Sequence, residues 1–261
     1  MSFALVDTHC HLDMLDLDAI GGDLDSVIRN AKENGVTRFL TVSISLENIP
    51  AVIAIARRYE TVYASAGVHP NERNGREPDV DDLIKFGDDS NVIAIGETGL
   101  DYYRSTGDLE WQRERFRRHI FAAKYLSKPL IVHSRDARED TLRILAEENA
   151  AQAGGVMHCY VEDLATAQRC IEMNFYISFS GIVTFKNTIQ LQQVAREIPL
   201  GRMLLETDSP YLAPVPFRGK TNQPAYIRHV AARIAELRGI SVEEVAEVTT
   251  QNFVDAFGVA A

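Results

Sequence analysis

The sequence predicts a single (β/α)8, TIM-like barrel domain over residues 1–261, of the α/β class, and three observations predict it. Eight short apolar runs alternate with helix-like segments along the whole chain, the pattern of a parallel barrel of about 250 residues. Most of the runs are continuously apolar, as parallel strands covered on both faces require. The first run, Leu5-Val6, leads into Asp7-Thr8-His9-Cys10-His11, where a doubly wound open sheet would normally carry a glycine-rich phosphate loop.

The runs after Leu5-Val6 are Phe39–Ile44, Val62–Val68, Val92–Ile95, Leu130–Val132, Gly155–Met157, Phe175–Phe179 and Met203–Leu205. Between them Asp23–Asn34 reads as a helix stopped by Gly35, a residue that tolerates the left-handed conformation of a helix end. Glu47–Tyr59 carries Ile49, Val52, Ile53 and Ala56 on one face. Asp79–Phe86 ends at Gly87. Helices follow over Asp108–Leu126, Asp136–Ala150, Glu162–Met173, Asn187–Arg196 and Asn222–Leu237. Val242–Phe257 opens after Ser241, whose spacing to Glu244 is that of a capping box. No linker, low-complexity segment or repeat divides the chain. Pro210–Pro224 is the one long irregular stretch, and it holds Arg218 and Lys220.

Composition excludes several classes of function. A net charge of −10 excludes a protein that coats nucleic acid through bulk positive charge. It leaves room for an enzyme that engages a few phosphates through metal ions and a local basic patch. Cys10, Cys159 and Cys170 form an odd set without paired spacing, which fits a reducing compartment. Met1–Val6 lacks the basic and apolar regions of a secretory leader, and no apolar run approaches the roughly 20 residues of a membrane span. A cytoplasmic, monomeric protein that does not insert in membranes is expected.

Chemistry concentrates where a barrel of this kind places it, at the C-terminal ends of the strands. Residues two apart on a strand share a face, so His9 and His11 aim at one point, with Asp7 on the same side. His69 follows the third run, Glu97 the fourth, His133 the fifth, His158 the sixth and Asp208 the eighth. Five of the seven histidines therefore fall at strand ends, while His119 and His229 fall inside helices. Imidazole and carboxylate together suit divalent metal ions. His9, His11, Glu97, His133, His158 and Asp208 are more ligands than one structural zinc needs, so two ions are expected. Glu97 is the natural bridge, since a carboxylate has two ligating oxygens. His9, His11 and Asp208 complete one site; His133 and His158 complete the other. Asp208 is expected to double as general base, with Glu97 as the second catalytic carboxylate. Glu206, two residues before Asp208, and Asp7 are expected to orient ligands from behind. His69 and Arg218 are expected to contact substrate phosphate.

These residues carry a resemblance. Asp7-Thr8-His9-Cys10-His11-Leu12, Gly67-Val68-His69-Pro70, Gly96-Glu97-Thr98-Gly99-Leu100-Asp101-Tyr102, Pro129–His133, His158-Cys159, Phe179-Ser180-Gly181 and Leu205–Leu212 look like successive signatures of the TatD family of metal-dependent hydrolases, in particular its bacterial YcfH-like branch. Phe217–Pro224 and Asn252-Phe253 extend the likeness nearly end to end. The resemblance implies a distorted barrel of the amidohydrolase-like superfamily with a two-metal centre. It implies a deoxyribonuclease that hydrolyses phosphodiester bonds of DNA, often as a 3′–5′ exonuclease, supported by magnesium, with zinc or manganese as alternatives. The family's metal residues carry over onto His9, His11, Glu97, His133, His158 and Asp208. The acidic surface implies weak binding of a single-stranded or damaged DNA substrate. The same ligands could instead polarise a carbonyl, as in an aminoacyl-tRNA deacylase, a lactonase or an amidase.

Overall fold

The computed structural model describes residues 4–260. Met1–Phe3, half of the stretch read for a leader, and Ala261 lie outside the described residues. Eight strands follow the eight apolar runs: β1 (Leu5–Cys10), β2 (Val36–Thr41), β3 (Val62–Ala66), β4 (Val92–Asp101), β5 (Leu130–Arg135), β6 (Gly155–Met157), β7 (Phe175–Phe179) and β8 (Met203–Leu205). They pair in chain order, all parallel. Beyond β8 the seam is bridged by two backbone bonds, from Asp208 N–H to the His9 carbonyl at 2.9 Å and from His11 N–H to the Ser209 carbonyl at 2.8 Å. The result is a nearly closed barrel. The segments that nearly close it are the ones that carry His9, His11 and Asp208.

Helices cover its outside: α1 (Leu17–Ile20), α2 (Leu24–Glu33), α3 (Ile49–Arg58), α4 (Val80–Gly87), α5 (Glu110–Leu126), α6 (Arg138–Glu147), α7 (Leu164–Glu172), α8 (Ile189–Glu197), α9 (Ile227–Arg238) and α10 (Val242–Phe257). The one-turn α1 is not legible in the pattern; Asp16 caps it by accepting from Ala19 N–H. Gly87 is the last residue of α4 rather than a left-handed stop, and a Cβ there would meet the Leu126 and Ile95 side chains. Ser241 accepts from Glu244 N–H, the single arm formed of the expected capping box. Between Asn222 and α9 the chain makes a 3-10 turn over Pro224–Tyr226, and the Asn222 side chain donates to the Thr207 and Tyr211 carbonyls.

The barrel interior is apolar at its base. Val6, Leu40, Tyr63, Ala94, Ile131, Val156, Tyr176 and Leu204, one from each strand, cluster with Phe253 and Phe257 of α10. Two residues further along β5, β6 and β7, and in the segment after β8, the same face carries His133, His158, Ser178 and Glu206. The polar site is therefore the next layer above a hydrophobic plug.

On β1 and β4 the alternation is deliberately out of step. Asp7 pairs with Phe39 and Cys10 with Thr41, so β1 spends one residue more than β2. Ile95 pairs with Leu130 and Thr98 with Val132, so β4 does the same against β5. Each is a bulge, which re-aims side chains. The bulge also lets the β4 ladder resume to Asp101, which is why β4 outruns the expected Val92–Ile95. Gly96 makes the second bulge possible: its φ is 151°, and a Cβ would lie 2.6 Å from the Ile131 carbonyl oxygen.

Candidate metal centre

Seven of the predicted residues converge at the C-terminal mouth. Glu97 lies at the middle. Its Oε1 is 2.8 Å from His158 Nε2, 3.2 Å from His133 Nδ1 and 3.4 Å from His69 Nε2. Its Oε2 is 3.5 Å from His9 Nε2. Asp208 Oδ1 lies 3.5 Å from His11 Nε2 and 3.7 Å from His9 Nε2. All of these residues except His69 and His133 are nearly or fully buried.

The far side of each imidazole decides which nitrogen is offered inward. His11 Nδ1 is 3.0 Å from the Val42 carbonyl, so it holds the proton and leaves the Nε2 lone pair toward Asp208. His133 Nε2 is 3.2 Å from Asp101 Oδ2, which leaves Nδ1 for the cluster. His158 Nδ1 is buried without a hydrogen-bond partner among the described residues, 3.4 Å from Glu206 Oε1, while its Nε2 faces the cluster. His9 differs: both its ring nitrogens are buried with no hydrogen-bond partner among the described residues. A buried polar atom left so is costly. A cation would remove the cost. Ligands bound at about 2.1 Å to one ion stand about 3.0–3.4 Å apart at octahedral or tetrahedral angles. The distances around Glu97 and Asp208, from 2.8 to 3.7 Å, bracket that spacing. The residues fit metal ions.

His69 is brought into contact with Glu97 and His133, yet its tautomer is opposite. Its Nδ1 accepts the Asn71 N–H at 3.0 Å, so Nε2 carries the proton in the neutral ring. It donates toward Glu97 rather than offering a lone pair.

Electrostatics sharpen the division. Burial raises the Glu97 carboxyl, but the charges of His158 and His69 and the bonds from His133 and His158 overcome it, and Glu97 sits well below its ordinary range. Asp208 is lowered in the same way by His11, His9 and His158 against burial. Burial lowers His9, assisted by His158. Burial also pushes His69 down to about 4. His158 moves the other way: Glu97 and Glu206 outweigh burial and raise it well above its usual value. The lowered Glu97 and Asp208 thus face three imidazoles that are raised, His11, His133 and His158, and two that are lowered, His9 and His69.

One expectation is corrected. Asp7 does not share the side of His9, because the bulge at Thr8–His9 breaks the alternation. Its carboxylate instead accepts from Thr207 N–H at 2.8 Å and Thr207 Oγ1 at 2.6 Å, and burial pushes it up to about 8. It anchors the segment just before Asp208. Arg218 stays outside the cluster, exposed on the rim with its guanidinium 4.4 Å over the Phe185 ring. Glu206 lies behind His158 as expected, and Ser178 donates to it at 2.6 Å. Asp101, with Asn71 donating to it at 2.7 Å, was not expected. Its sequence signal was there: it ends the Glu97 segment four residues on, opposite Arg135 in the ladder.

The comparisons with known proteins agree with this geometry. Residues 6–258 match the family model described as TatD related DNase. The chain is 49% identical over 254 residues to the uncharacterized metal-dependent hydrolase YcfH of Escherichia coli, covering 97% of this chain and 95% of that one. It is 30% identical over 244 residues to a protein of Citrobacter koseri named 3′-5′ ssDNA/RNA exonuclease TatD, covering 91% and 94%. Among solved structures it superposes on YJJV, a TatD homologue of Escherichia coli, with a TM-score of 0.87, 27% identity and 98% of each chain covered. A match over nearly the whole length, on a barrel whose mouth gathers the histidines and carboxylates just described, carries one conclusion: the chain belongs to the TatD family of metal-dependent hydrolases.

Proposed function

We propose that this chain is a metal-dependent phosphodiesterase acting on DNA, a 3′–5′ exonuclease on single-stranded or damaged strands, working as a single-domain monomer in the cytoplasm. The observation that carries the metal assignment is Glu97: one carboxylate oxygen faces His69, His133 and His158 while the other faces His9. A bridging carboxylate has that disposition. The nucleic-acid substrate is supported by the Citrobacter koseri relative, named a 3′-5′ ssDNA/RNA exonuclease. The three unpaired thiols Cys10, Cys159 and Cys170 suit a reducing compartment. Among the described residues no helix is long and apolar enough to cross a membrane.

In this reading His9, His11 and Asp208 would hold one divalent ion and His133 and His158 a second, with Glu97 able to serve both. Magnesium is the working metal, with manganese or zinc able to replace it. Bound there, two such ions supply Lewis-acid activation of a water and charge neutralisation at the scissile phosphate. The protein residues do the rest. Asp208 takes the proton of the attacking water. Its side chain is 13% exposed, against 3% for Glu97 and none for Glu206, so Asp208 alone of the three can hand that proton on to solvent. Asp101 holds His133 in the correct tautomer, and Glu206 faces His158 Nδ1. His69, neutral near pH 7 with Nε2–H pointed into the mouth, donates to a non-bridging phosphate oxygen. Asp7 fixes Thr207, and through it the direction of Asp208.

The test is product mapping on 3′-labelled and 5′-labelled oligonucleotides with Mg²⁺, Mn²⁺ or Zn²⁺ added to chelator-treated protein. Stepwise loss of the 3′ nucleotide, abolished in Asp208→Ala, supports the reading. Intact oligonucleotides beside turnover of aminoacyl esters or lactones would overturn it in favour of carbonyl chemistry.

A further inference from the structure

Among the described residues, some arginines of this acidic protein, such as Arg57, Arg117 and Arg143 on outer helices, pair with carboxylates, and others on those helices, such as Arg29 and Arg169, do not. Four lie on the segments that crown the metal mouth. Arg73 follows β3, Arg104 follows β4, Arg135 ends β5 and Arg218 follows β8. Among the described residues none of these four has a carboxylate partner. Three of the four lie instead over aromatic rings: Arg135 at 4.0 Å over Tyr103, Arg218 at 4.4 Å over Phe185 and Arg73 at 4.9 Å over Trp111. A guanidinium on a ring keeps its outward N–H groups free for a ligand anion.

Arg135 and Tyr103 hold a particular position. In the β4–β5 ladder Asp101 pairs with Arg135, and Asp101 grips His133. The Arg135–Tyr103 pair thus stands one step outward, with Arg135 about 7 Å along the strand from His133. Asp136, next in the chain, forms no ion pair with Arg135. Tyr103 is 61% exposed, an unusual cost for a large ring. Arg104 lies beside it, and its charge is felt at Tyr211, whose ring faces His11 at 6.0 Å.

We propose that Arg135, Tyr103 and Arg104 form a nucleotide subsite flanking the metal mouth on its β4–β5 side, which takes the phosphate and base next to the scissile linkage of a single-stranded nucleic acid. Arg135 and Arg104 hold the phosphate, and the exposed Tyr103 ring stacks on the base. This rests on the phosphodiesterase reading and gives it direction. The strand crosses the mouth between Arg218 on one side and Arg135 on the other. The local patch also reconciles strand binding with a net charge of −10.

The experiment measures binding and turnover separately. A fluorescein-labelled phosphorothioate oligonucleotide is titrated into metal-loaded wild type, Arg135→Gln, Tyr103→Ala, Tyr103→Phe and the outer-helix control Arg143→Gln, by anisotropy, at several salt concentrations. Arg135→Gln and Tyr103→Ala are expected to weaken binding about tenfold each, and Arg135→Gln to flatten the salt dependence by about one phosphate contact. Tyr103→Phe restores the wild-type affinity, and Arg143→Gln matches wild type. On a cleavable oligonucleotide the loss appears in KM, with kcat changed less than about threefold. Wild-type affinity and KM in Arg135→Gln and Tyr103→Ala would overturn the subsite while leaving the activity standing. Binding that depends on both residues without any cleavage would sink the activity and keep the subsite. A wild-type protein that binds no oligonucleotide overturns both.

Discussion

His119 offers a prediction that is independent of the metals. It is fully buried in α5, with Nδ1 2.8 Å from the Arg115 carbonyl and Nε2 accepting Val68 N–H at 3.0 Å. Both nitrogens are thus committed with the ring neutral. A second proton would have to displace the Val68 bond and charge an apolar site. Burial accordingly pushes His119 from 6.5 down to about 3. Between those values the unfolded chain binds a proton that the folded chain refuses, so stability rises with pH there. The contribution is complete above the unfolded value and is lost as pH falls toward the folded one. Relative to a variant without the group, wild type should lose about 1.4 kcal/mol between about pH 7.5 and about pH 5.5, and about 2.6 kcal/mol by about pH 4.5. His119→Gln is the comparison, since its amide can accept from Val68 and donate to Arg115 without titrating. Urea unfolding of both proteins at matched metal saturation reads the difference, and the cluster histidines cancel in it. Its absolute stability at neutral pH should fall by about 1–2 kcal/mol from imperfect fit. The reasoning is refuted if the two proteins lose stability in parallel as pH drops.

Four further outcomes follow from the cluster. Asp208→Asn keeps the shape but removes the proton acceptor and a charge, and should lower kcat about 10³-fold in single-turnover assays. Asp101→Ala frees His133 to rotate and should weaken metal binding about 10–100-fold by competition with a chelating dye, with the barrel's circular dichroism unchanged. Metal binding should release protons and weaken as pH falls, because His158, His133 and His11 are all raised and must give up their protons to ligate; calorimetry in buffers of different ionisation enthalpy counts those protons. Chelation should lower Tm measurably, since it restores the repulsion between Glu97 and Asp208 and the unpartnered ring of His9.

What the chain made legible, and what it hid, have one physical origin. The periodicity of apolar residues is a local property, and it located all eight strands and nine of the ten helices because strand and helix periods are written residue by residue. The clustered histidines were legible for the same reason on β5 and just past β6, where His133 and His158 lie two places after Ile131 and Val156 of the apolar plug. Alternation failed on β1. There the same rule that joined His9 to His11 also joined Asp7 to them, and the fold contradicts it. A bulge is a disagreement between two strands about how many residues span a rise. Neither strand alone records that disagreement, so Asp7 could not be assigned from Leu5–His11 however closely it was read. Gly96 was the nearest thing to a written trace, as a residue with no Cβ at the spot where one would strike the Ile131 carbonyl. The tautomer of His69 is hidden more deeply, because it turns on one backbone N–H of Asn71. That single bond separates an imidazole that donates to an anion from one that ligates a cation. A cluster of imidazoles therefore has to be read from the far side of each ring before any count of ligands is made.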